Sequence, residues 1–523
     1  MANEWATLGA DLHLELRGPR LRAGLMDALR EAVRSGRLTA GTRLPSSRSL
    51  AADLGIARNT VADAYAELVA EGWLTARQGS GTRVARRTDP HRTETGRTRA
   101  GRTASGQAAS ARTVSARAGV GERVAGSRAG GGGAAGGRAG GGGVAGVPGA
   151  VPPAPPVLPR TPTPSYDLKA GTPDLASFPR AEWLKAYRRA LTDAPNEALG
   201  YGDTRGRAEL RTVLAEYLAR ARGVHARPGR IVVCAGFVQG LALLGQVLRS
   251  RGVRDVAVES YGLGLHTGLL TGAGLGTPVL PFDERGTRVE ELAGGEPGAV
   301  GAVLMTAAHQ FPLGGALPPD RRTALVGWAR SSGAFVLEDD YDGEFRFDRQ
   351  PVGALQGLDP ERVVYLGTAS KSLAPGLRLA WMVLPEELVG EVVAAKGTDG
   401  GNALEQLALA EFIRSGAYDR HVRRVRLNYR RRRDQLVAAV AAHSPETRVS
   451  GIAAGLHAVL ALPPGTEQAT LRAAAWHGLA VQGVDQFRRP AVPPTLDGLV
   501  VGYATPPDSA WQGALEALMR VLP

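Results

Sequence analysis

Hydrophobic residues follow three different patterns along the chain. Over residues 20–35 they recur at every fourth position, which predicts one face of a helix, at Leu21, Leu25, Leu29 and Val33. Residues 86–165 consist mainly of Gly, Ala, Arg, Ser, Thr and Pro. Beyond them, short apolar runs alternate with helical stretches. The pattern therefore predicts a small helical module, a linker and a large mixed domain.

A helix-turn-helix followed by a β-hairpin is predicted for the N-terminal module. A short second helix with serine caps ends at Gly55, and a third helix opens at Arg58 and ends at Gly72. Two short strands, residues 73–75 and 82–84, then form a wing around a Gly-containing turn.

The polar start of the third helix suits a recognition helix, whose first turn faces base edges and phosphates. Arg58 can bond guanine or a phosphate, Asn59 can pair with adenine, and Thr60 can bond either. Gln78 and the glycines at the wing tip can enter the minor groove. The alternative is a small helical subdomain whose arginines are only solvated.

One string of residues in this module carries a family resemblance. It runs from Leu44-Pro-Ser-Ser-Arg through Arg58-Asn-Thr-Val to Ser80-Gly-Thr, and it closely resembles the winged helix-turn-helix of the GntR family. We assign the DNA-binding domain to residues 12–85. The resemblance implies that the contacts with an operator DNA are made by Arg48, Arg58, Asn59, Thr60, Gln78 and Gly79.

Positive charge is concentrated in residues 86–165. The chain carries a net charge of +13, and this segment holds twelve arginines against three acidic residues. Its composition cannot bury enough apolar surface to fold, so we expect a disordered linker that is flexible where it is Gly-rich and stiffer where it is Pro-rich. We interpret it as a tether. The alternative is that its arginines add non-specific, salt-sensitive affinity for DNA.

The apolar runs of residues 166–523 predict an α/β domain with a largely parallel sheet. Ligands of such sheets gather at the carboxyl ends of the strands, and the suggestive residues of this chain lie there as well. The predicted strands are residues 231–233, 253–258, 300–305, 335–337, 363–366 and 379–384.

Lys371 follows one of these strands and is one of only four lysines, against 59 arginines. A lysine can lose its proton and form a Schiff base, whereas an arginine cannot at accessible pH. Another strand ends in Glu338-Asp-Asp-Tyr-Asp. A carboxylate there can hold a pyridinium nitrogen, and Tyr341 can bond a phenolic oxygen. Taken alone, this segment is also compatible with an ordinary acidic loop.

A phosphate site is predicted where the first strand of the domain turns into a helix. Backbone N–H groups of Gly236 and Phe237 at the helix start can bind an anion, and Arg378 adds a second phosphate partner. A phosphate cradle, an acid for a ring nitrogen, a lysine and an arginine, in this order, predict a pyridoxal phosphate site. No metal site is predicted.

The strings Glu338-Asp-Asp-Tyr-Asp and Gly367-Thr-Ala-Ser-Lys-Ser-Leu-Ala-Pro-Gly-Leu-Arg resemble the fold-type I aminotransferase-like domain of MocR (GabR-like) regulators. The resemblance covers most of residues 166–523 and implies a homodimer with pyridoxal 5′-phosphate. It implies that Lys371, beside Ser370, occupies the catalytic position and forms the Schiff base, and that Arg378 binds the phosphate.

Further roles follow from the same resemblance. Asp339, or Asp340 if the alignment shifts by one, would face the pyridine nitrogen, and Tyr341 would bond the ring oxygen. Tyr201 would reach a cofactor phosphate across the dimer. The expected Glu-x-Pro-x-Tyr reads Glu259-Ser-Tyr-Gly-Leu here, which leaves Tyr261 as the nearest candidate for stacking on the ring.

A carboxylate-binding arginine is missing from its expected place. Related domains carry it just before a Gly-Phe or Gly-Tyr pair, where this chain has Leu499-Val-Val-Gly-Tyr. Without it, a bidentate clamp on an amino-acid carboxylate is lost, which counts against ordinary transamination. Arg488 and Arg489 are possible substitutes, but their spacing does not support that role.

These features favour a pyridoxal phosphate-binding transcriptional regulator that senses a small amino compound or the cofactor itself. The alternatives are an active aminotransferase with an accessory DNA-binding domain, and a cofactor-free scaffold with an inert Lys371. Cys234, the single cysteine, excludes an intramolecular disulfide and suits a reducing compartment. We see no signal peptide and no run long enough to span a membrane, and we expect a cytoplasmic protein.

Overall fold

The computed structural model describes residues 21–34, 38, 41–54, 56–71, 73–77, 81–85, 164–294, 300–347 and 353–523. The predicted linker lies outside the described residues, apart from its last two. Two predicted DNA contacts, Gln78 and Gly79, lie outside them as well. None of the described helices combines the length and the apolar character needed to span a bilayer.

The N-terminal module consists of three helices and a two-stranded wing, which confirms the winged helix-turn-helix. Leu25, Val61 and Leu68 are fully buried in its single core. Tyr65 donates its hydroxyl to Pro45 O at 3.0 Å and so ties the third helix to the segment before the second. The elements are α1 (Leu21–Arg34), α2 (Ser47–Leu54), α3 (Arg58–Ala70), β1 (Leu74–Arg77) and β2 (Gly81–Val84), with β1 and β2 antiparallel.

The large domain alternates helices and strands. Its described helices are α4 (Arg180–Asp193), α5 (Ala208–Arg222), α6 (Phe237–Ser250), α7 (Gly264–Gly272), α8 (Pro319–Ser332), α9 (Glu386–Lys396), α10 (Ala403–Arg414), α11 (Ala417–His443), α12 (Glu467–Trp476) and α13 (Asp508–Met519). Its described strands are β3 (Tyr166–Asp167), β4 (Ile231–Cys234), β5 (Asp255–Glu259), β6 (Val279–Leu280), β7 (Phe282–Asp283), β8 (Gly286–Thr287), β9 (Val300–Met305), β10 (Phe335–Asp339), β11 (Val363–Thr368), β12 (Ala380–Val383), β13 (Arg448–Ser450), β14 (Ala458–Ala461), β15 (Leu479–Ala480), β16 (Gln482–Gly483) and β17 (Gly498–Val501).

A seven-stranded sheet forms the centre of this domain. Its order is β4-β12-β11-β10-β9-β5-β6, and β12 is antiparallel to both of its neighbours while the other pairs are parallel. Each of the six predicted strands corresponds to a strand of this sheet, with ends shifted by a few residues. The predicted, largely parallel α/β sheet is therefore confirmed.

Both faces of this sheet are covered by helices. On one face, α6 and α9 pack on alternate strand residues such as Val232 and Leu366. On the other face, α5, α8 and α10 cover the intervening residues, for example Val233 and Val336. Because successive strand residues point to opposite faces, strands buried on both sides appear in the sequence as continuous apolar runs.

A second, antiparallel sheet lies in the C-terminal part of the domain. Its order is β13-β14-β17-β16, and it packs with α11 and α13 around Leu460, Val501 and Trp511. The sequence pattern did not predict this sheet. Its strands are two to four residues long, which is too short for a clear alternating pattern.

Candidate functional site

A cavity of about 400 Å³ opens at the carboxyl ends of β5, β9, β10 and β11, where the sequence predicted a ligand site. The first turn of α6 and residues 170–172 form part of the cavity wall. The cavity brings together seven of the predicted cofactor residues, namely Phe237, Tyr261, Asp339, Tyr341, Ser370, Lys371 and Arg378.

Lys371 enters this cavity from the turn that follows β11. Its Nζ donates a hydrogen bond to Gly171 O. Burial lowers the pKa of the Lys371 amine, and the charges of Asp339 and Asp342 offset part of that shift. A lowered pKa increases the fraction of neutral amine, which is the form that attacks a carbonyl carbon.

The acidic residues at the end of β10 do not form one cluster. Successive residues of an extended chain point to opposite sides, so Glu338 and Asp340 are directed away from Asp339. Glu338 accepts hydrogen bonds from Leu355 N at 2.7 Å and from Gln356 N at 3.1 Å. Its carboxylate therefore anchors a neighbouring loop and does not line the cavity.

Asp340 is the buried partner of Arg222. Arg222 donates Nε to Oδ2 at 2.6 Å and Nη2 to Oδ1 at 2.8 Å, and the Tyr365 hydroxyl adds a third bond at 2.9 Å. Burial alone would lower the pKa of Arg222, but the charge and hydrogen bonds of Asp340, with smaller contributions from Tyr365 and Glu344, together raise it. The sequence left open whether Asp339 or Asp340 faces a ring nitrogen. Asp340 is bound by Arg222 and Tyr365, whereas Asp339 lines the cavity.

Asp339 carries an unsatisfied acceptor into the cavity. Its Oδ1 is buried and accepts no hydrogen bond from the part of the chain that the structure describes. Burial raises the pKa of this carboxyl well above its ordinary value, although the charge of Lys371 opposes the shift. A buried acceptor without a donor costs about 1–3 kcal/mol. A ring N–H of a ligand in the cavity fits this position.

An anion cradle lies where α6 begins. Gly236, directly before α6, has a φ of 90°, a left-handed value that favours glycine. Arg378 packs against it, because a Cβ on Gly236 would lie 2.6 Å from Arg378 Nη2. Arg378 donates Nη2 to Ala235 O at 2.7 Å, and its own φ is 53°. The Thr368 hydroxyl donates to Ser370 Oγ nearby at 2.8 Å. A helix start beside a guanidinium suits a phosphate group.

A buried polar network supports Tyr341. The Tyr341 hydroxyl lies 3.1 Å from His309 Nδ1, which in turn lies 2.7 Å from Asp342 Oδ2. Close by, His457 Nε2 lies 2.9 Å from Pro312 O, and burial lowers the pKa of His457 to about 4. His309, Asp342 and His457 are close enough to hold a metal ion, but their hydrogen bonds already give each of them a partner. We interpret the group as a device that orients the Tyr341 hydroxyl.

The aromatic wall of the cavity contains a residue that the sequence analysis missed. His266 lines the cavity and packs on Phe237, with ring centroids 4.6 Å apart. Burial lowers the pKa of His266 to about 4, with smaller contributions from the charges of Arg489 and Lys371. Tyr261 is buried in an apolar cluster, and its hydroxyl has no partner among the described residues. His266 lies inside α7 and outside any motif, so no sequence signal indicated it.

Of two further residues considered from the sequence, Tyr201 lies outside the cavity and Arg489 lines it. Tyr201 is fully exposed and does not line the cavity of its own chain. Arg489 does line it, although its spacing in the sequence did not support a ligand-binding role. The neighbouring Arg488 instead donates Nε to Asp485 Oδ1 at 2.6 Å. The strand where an arginine was expected, β17, is buried and apolar.

The predicted recognition residues lie at the surface of the winged helix. Arg58 and Asn59 are exposed in the first turn of α3, and Thr60 is partly buried. Arg48 is exposed near the start of α2. Each helix start can receive a phosphate, and exposed side chains there can reach base edges.

Both halves of the chain match known families. Residues 21–84 match the family described as bacterial regulatory proteins, gntR family. Residues 164–494 match the family described as aminotransferase class I and II. The fold and the site therefore define a winged helix-turn-helix protein with an aminotransferase-type domain.

Two regulators are similar to this chain over most of its length, and an aminotransferase structure is similar to its larger part. The chain is 31% identical over 438 residues to the HTH-type pyridoxine biosynthesis transcriptional regulator PdxR of Corynebacterium glutamicum, covering 83% of this chain and 82% of that protein. It is 31% identical over 491 residues to the probable rhizopine catabolism regulatory protein MocR of Rhizobium meliloti, covering 92% of this chain and 89% of that protein. LysN, the α-aminoadipate aminotransferase of Thermus thermophilus, solved with N-(5′-phosphopyridoxyl)-L-leucine, superposes with a TM-score of 0.60 at 27% identity, covering 68% of this chain and 91% of that one.

The chain belongs to the GntR-family transcriptional regulators that carry a class I and II aminotransferase domain. This confirms the resemblance found in the sequence.

Replacing Arg222 by alanine is expected to destabilise the large domain. The change leaves the Asp340 carboxylate buried without its partner, and breaking such a pair costs about 3–5 kcal/mol. The melting temperature, followed by circular dichroism, should fall clearly. In the control Arg285→Ala, whose partner Asp320 is exposed, it should change little. Equal melting of the two variants would show that Asp340 has no such structural role.

Proposed function

We propose that this protein is a transcriptional regulator that binds pyridoxal 5′-phosphate in the cavity of its large domain and DNA through its winged helix. One observation carries the cofactor proposal. The Lys371 amine and the Asp339 carboxyl line the same cavity, and burial shifts the pKa of each towards its neutral form. Oδ1 of Asp339 accepts no hydrogen bond from the described residues. A ligand with a carbonyl group and a ring nitrogen would satisfy both.

Different residues would bind different groups of the cofactor. Pyridoxal phosphate, when bound, supplies an aldehyde that reacts with amines and a ring that withdraws electrons. Lys371 would hold the aldehyde carbon through its amine. Asp339 would accept the ring N–H, and Tyr341 would donate its hydroxyl to the phenolic oxygen. Arg378 and the first turn of α6 would bind the phosphate.

A homodimer is part of the proposal. Tyr201 is fully exposed, and Leu199 beside it is 59% exposed. Leu265, which lines the rim of the cavity, is 58% exposed. Exposed apolar side chains such as these suit a protein interface. In this arrangement Tyr201 would reach the cofactor phosphate of the partner subunit.

Regulation would couple the two sites. A small amino compound, or the cofactor itself, would bind the cavity more tightly in one arrangement of the dimer than in another, and so shift the population of arrangements that fit the operator. Arg48, Arg58, Asn59 and Thr60 would make the contacts with DNA, together with Gln78 and Gly79 of the wing. Transamination with multiple turnover is not part of this proposal.

Borohydride reduction tests the cofactor site. Pyridoxal phosphate added to the purified chain should be trapped on the peptide that contains Lys371, because burial keeps more of this amine neutral. Lys371→Ala should lose both the trapped mass and the visible absorption band, whereas Lys185→Ala, an exposed position on α4, should keep both. A band of unchanged intensity in Lys371→Ala would contradict the assignment.

Arg58→Ala tests the DNA-binding surface. Loss of a bidentate contact with a base costs about 1–3 kcal/mol, which weakens the Kd about fivefold to 150-fold. The Kd is measured by fluorescence anisotropy with DNA taken from upstream of the gene. The control is Arg30→Gln, because Arg30 pairs with Glu71 at the other end of α3. If both variants bind DNA equally well, the start of α3 is not the recognition surface.

A further inference from the structure

A groove of about 940 Å³ lies at the surface of the large domain, mainly between residues 174–182 and α11. We call it the α11 groove. The described residues that line it are distinct from those that line the cavity of Lys371. Apolar residues such as Pro179 and Val425 form part of its lining. The lining also includes four arginines of α11, namely Arg420, Arg423, Arg424 and Arg431.

The α11 groove carries an excess of positive charge. Its four guanidinium groups share the lining with three carboxylates, those of Asp174, Glu182 and Asp508. Two of these carboxylates also bind a fifth arginine, because the fully buried Arg432 donates Nη2 to Asp174 Oδ2 at 3.2 Å and to Asp508 Oδ1 at 2.7 Å. Arg431 pairs with Asp508 as well, at 3.3 Å. The acidic residues therefore neutralise only part of the charge of the arginines.

Arg420 and Arg424 are the arginines of this groove with the most donor capacity left. They lie four residues apart, on one face of α11, and both are exposed. Arg420 donates Nη1 to Ser415 O at 3.3 Å, and Arg424 Nη2 lies 3.5 Å from Ser177 O. Within the described part of the chain, neither guanidinium forms an ion pair with a carboxylate. Because each guanidinium has five N–H donors, both can bind further oxygen atoms.

His421 connects the α11 groove to the turn that carries Lys371. Its Nε2 lies 2.8 Å from the carbonyl oxygen of Ser372, the residue directly after Lys371. Its Nδ1 lies 3.2 Å from Arg424 Nη2. Burial lowers the pKa of His421 to about 4, so the ring is neutral at neutral pH. Since a carbonyl oxygen only accepts, Nε2 carries the ring proton and donates it to Ser372 O, and Nδ1 accepts from Arg424.

The start of α11 is fixed to the same turn by a second bond. Tyr418 donates its hydroxyl to Ser372 Oγ at 2.7 Å. Asp419, between Tyr418 and the histidine, pairs with Arg220 of α5 at 2.9 Å. Tyr418 and His421 are buried, and close-packed interiors transmit small shifts. A change in the first two turns of α11 therefore moves Ser372, and with it the backbone of Lys371.

We propose that the α11 groove binds backbone phosphates of DNA through Arg420 and Arg424, and that His421 couples this contact to Lys371. DNA fits the charge, because its backbone carries one negative charge per about 1.7 Å of helix axis and arginine binds phosphate bidentately. A phosphate that draws Arg424 away from His421 removes the donor to Nδ1 and loosens the ring that holds Ser372. The inference rests on the proposed function for DNA binding and for the role of Lys371, and it adds a contact that is independent of base sequence.

The salt dependence of DNA binding tests the contact. The full chain is titrated with a short duplex trimmed to the winged-helix site and with the same duplex extended by arbitrary sequence. On the extended duplex, the double variant Arg420→Gln/Arg424→Gln should lower the slope of log K against log salt by about two, because each lost phosphate contact removes roughly 0.9. On the short duplex, its slope should equal that of the wild type. The control Arg472→Gln/Arg520→Gln removes the same charge from exposed positions outside the groove and should keep the wild-type slope on both duplexes.

The visible absorption band of pyridoxal phosphate bound to the full chain tests the coupling. The extended duplex should change the pH titration of this band in the wild type more than the short duplex does. His421→Leu removes both hydrogen bonds of the ring, so it should keep the wild-type salt slope and lose this extra change. His421→Gln, whose amide can still donate to Ser372 O, should recover part of it and guards against a folding defect in the leucine variant.

The outcomes separate this inference from the proposed function. Equal salt slopes of the wild type and the Arg420/Arg424 double variant on the extended duplex would overturn the contact with DNA. Inorganic phosphate that changes the band as the extended duplex does, at equal ionic strength, would overturn DNA as the occupant. An unchanged response in His421→Leu would overturn the coupling. Failed trapping of pyridoxal phosphate at Lys371, combined with a lowered slope in the double variant, would refute the cofactor proposal and the coupling but leave the contact with DNA standing.

Discussion

The burial of an amine and a carboxyl group in one cavity is the constraint on which the site depends. Parallel pairing of β10 with β11, in the register Asp339 to Leu366, brings the ends of both strands to one edge of the sheet. Asp339 lies at the end of one strand, and Lys371 follows the other. Both groups are shifted towards their neutral forms because water is excluded. Oδ1 of Asp339, which has no donor among the described residues, and the amine of Lys371 therefore both favour a polar ligand.

The surrounding residues keep this pair in place without competing for the ligand. Asp340, next in the chain to Asp339, is fully engaged by Arg222 and Tyr365 on the other side. Glu338 is bound to the backbone of the loop at Leu355. One short acidic segment thus serves both stability and binding, because consecutive side chains alternate in direction.

Much of the architecture was predictable from local patterns. The three helices and the wing follow from helical period and turn residues, and the six main strands follow from apolar runs that a doubly covered sheet requires. The convergence of Lys371, Asp339 and Tyr341 was also predictable, because parallel strands end at the same edge. Local pattern could not decide between Asp339 and Asp340, since a shift of one residue changes only which face each side chain meets.

Other parts of the site depend on contacts between distant residues. Arg489 reaches the cavity because its backbone N donates to Ser260 O at 2.9 Å, a pairing across more than 200 residues. His266 forms part of the cavity wall because it packs on Phe237. The helical spacing of apolar residues in the sequence does not indicate this contact. The small antiparallel sheet was missed for a related reason, since its strands are stabilised by α11 and α13 and have little pattern of their own.

The proposed function requires that occupancy at Lys371 changes how the winged helix binds DNA. This is tested by the footprint and the Kd of the full chain on DNA from upstream of its gene, with and without pyridoxal phosphate. The wild-type chain should show a clear change in footprint and Kd, and Lys371→Ala should show none. An identical change in Lys371→Ala, or no change in the wild-type chain under conditions where the cofactor is trapped at Lys371, would contradict it.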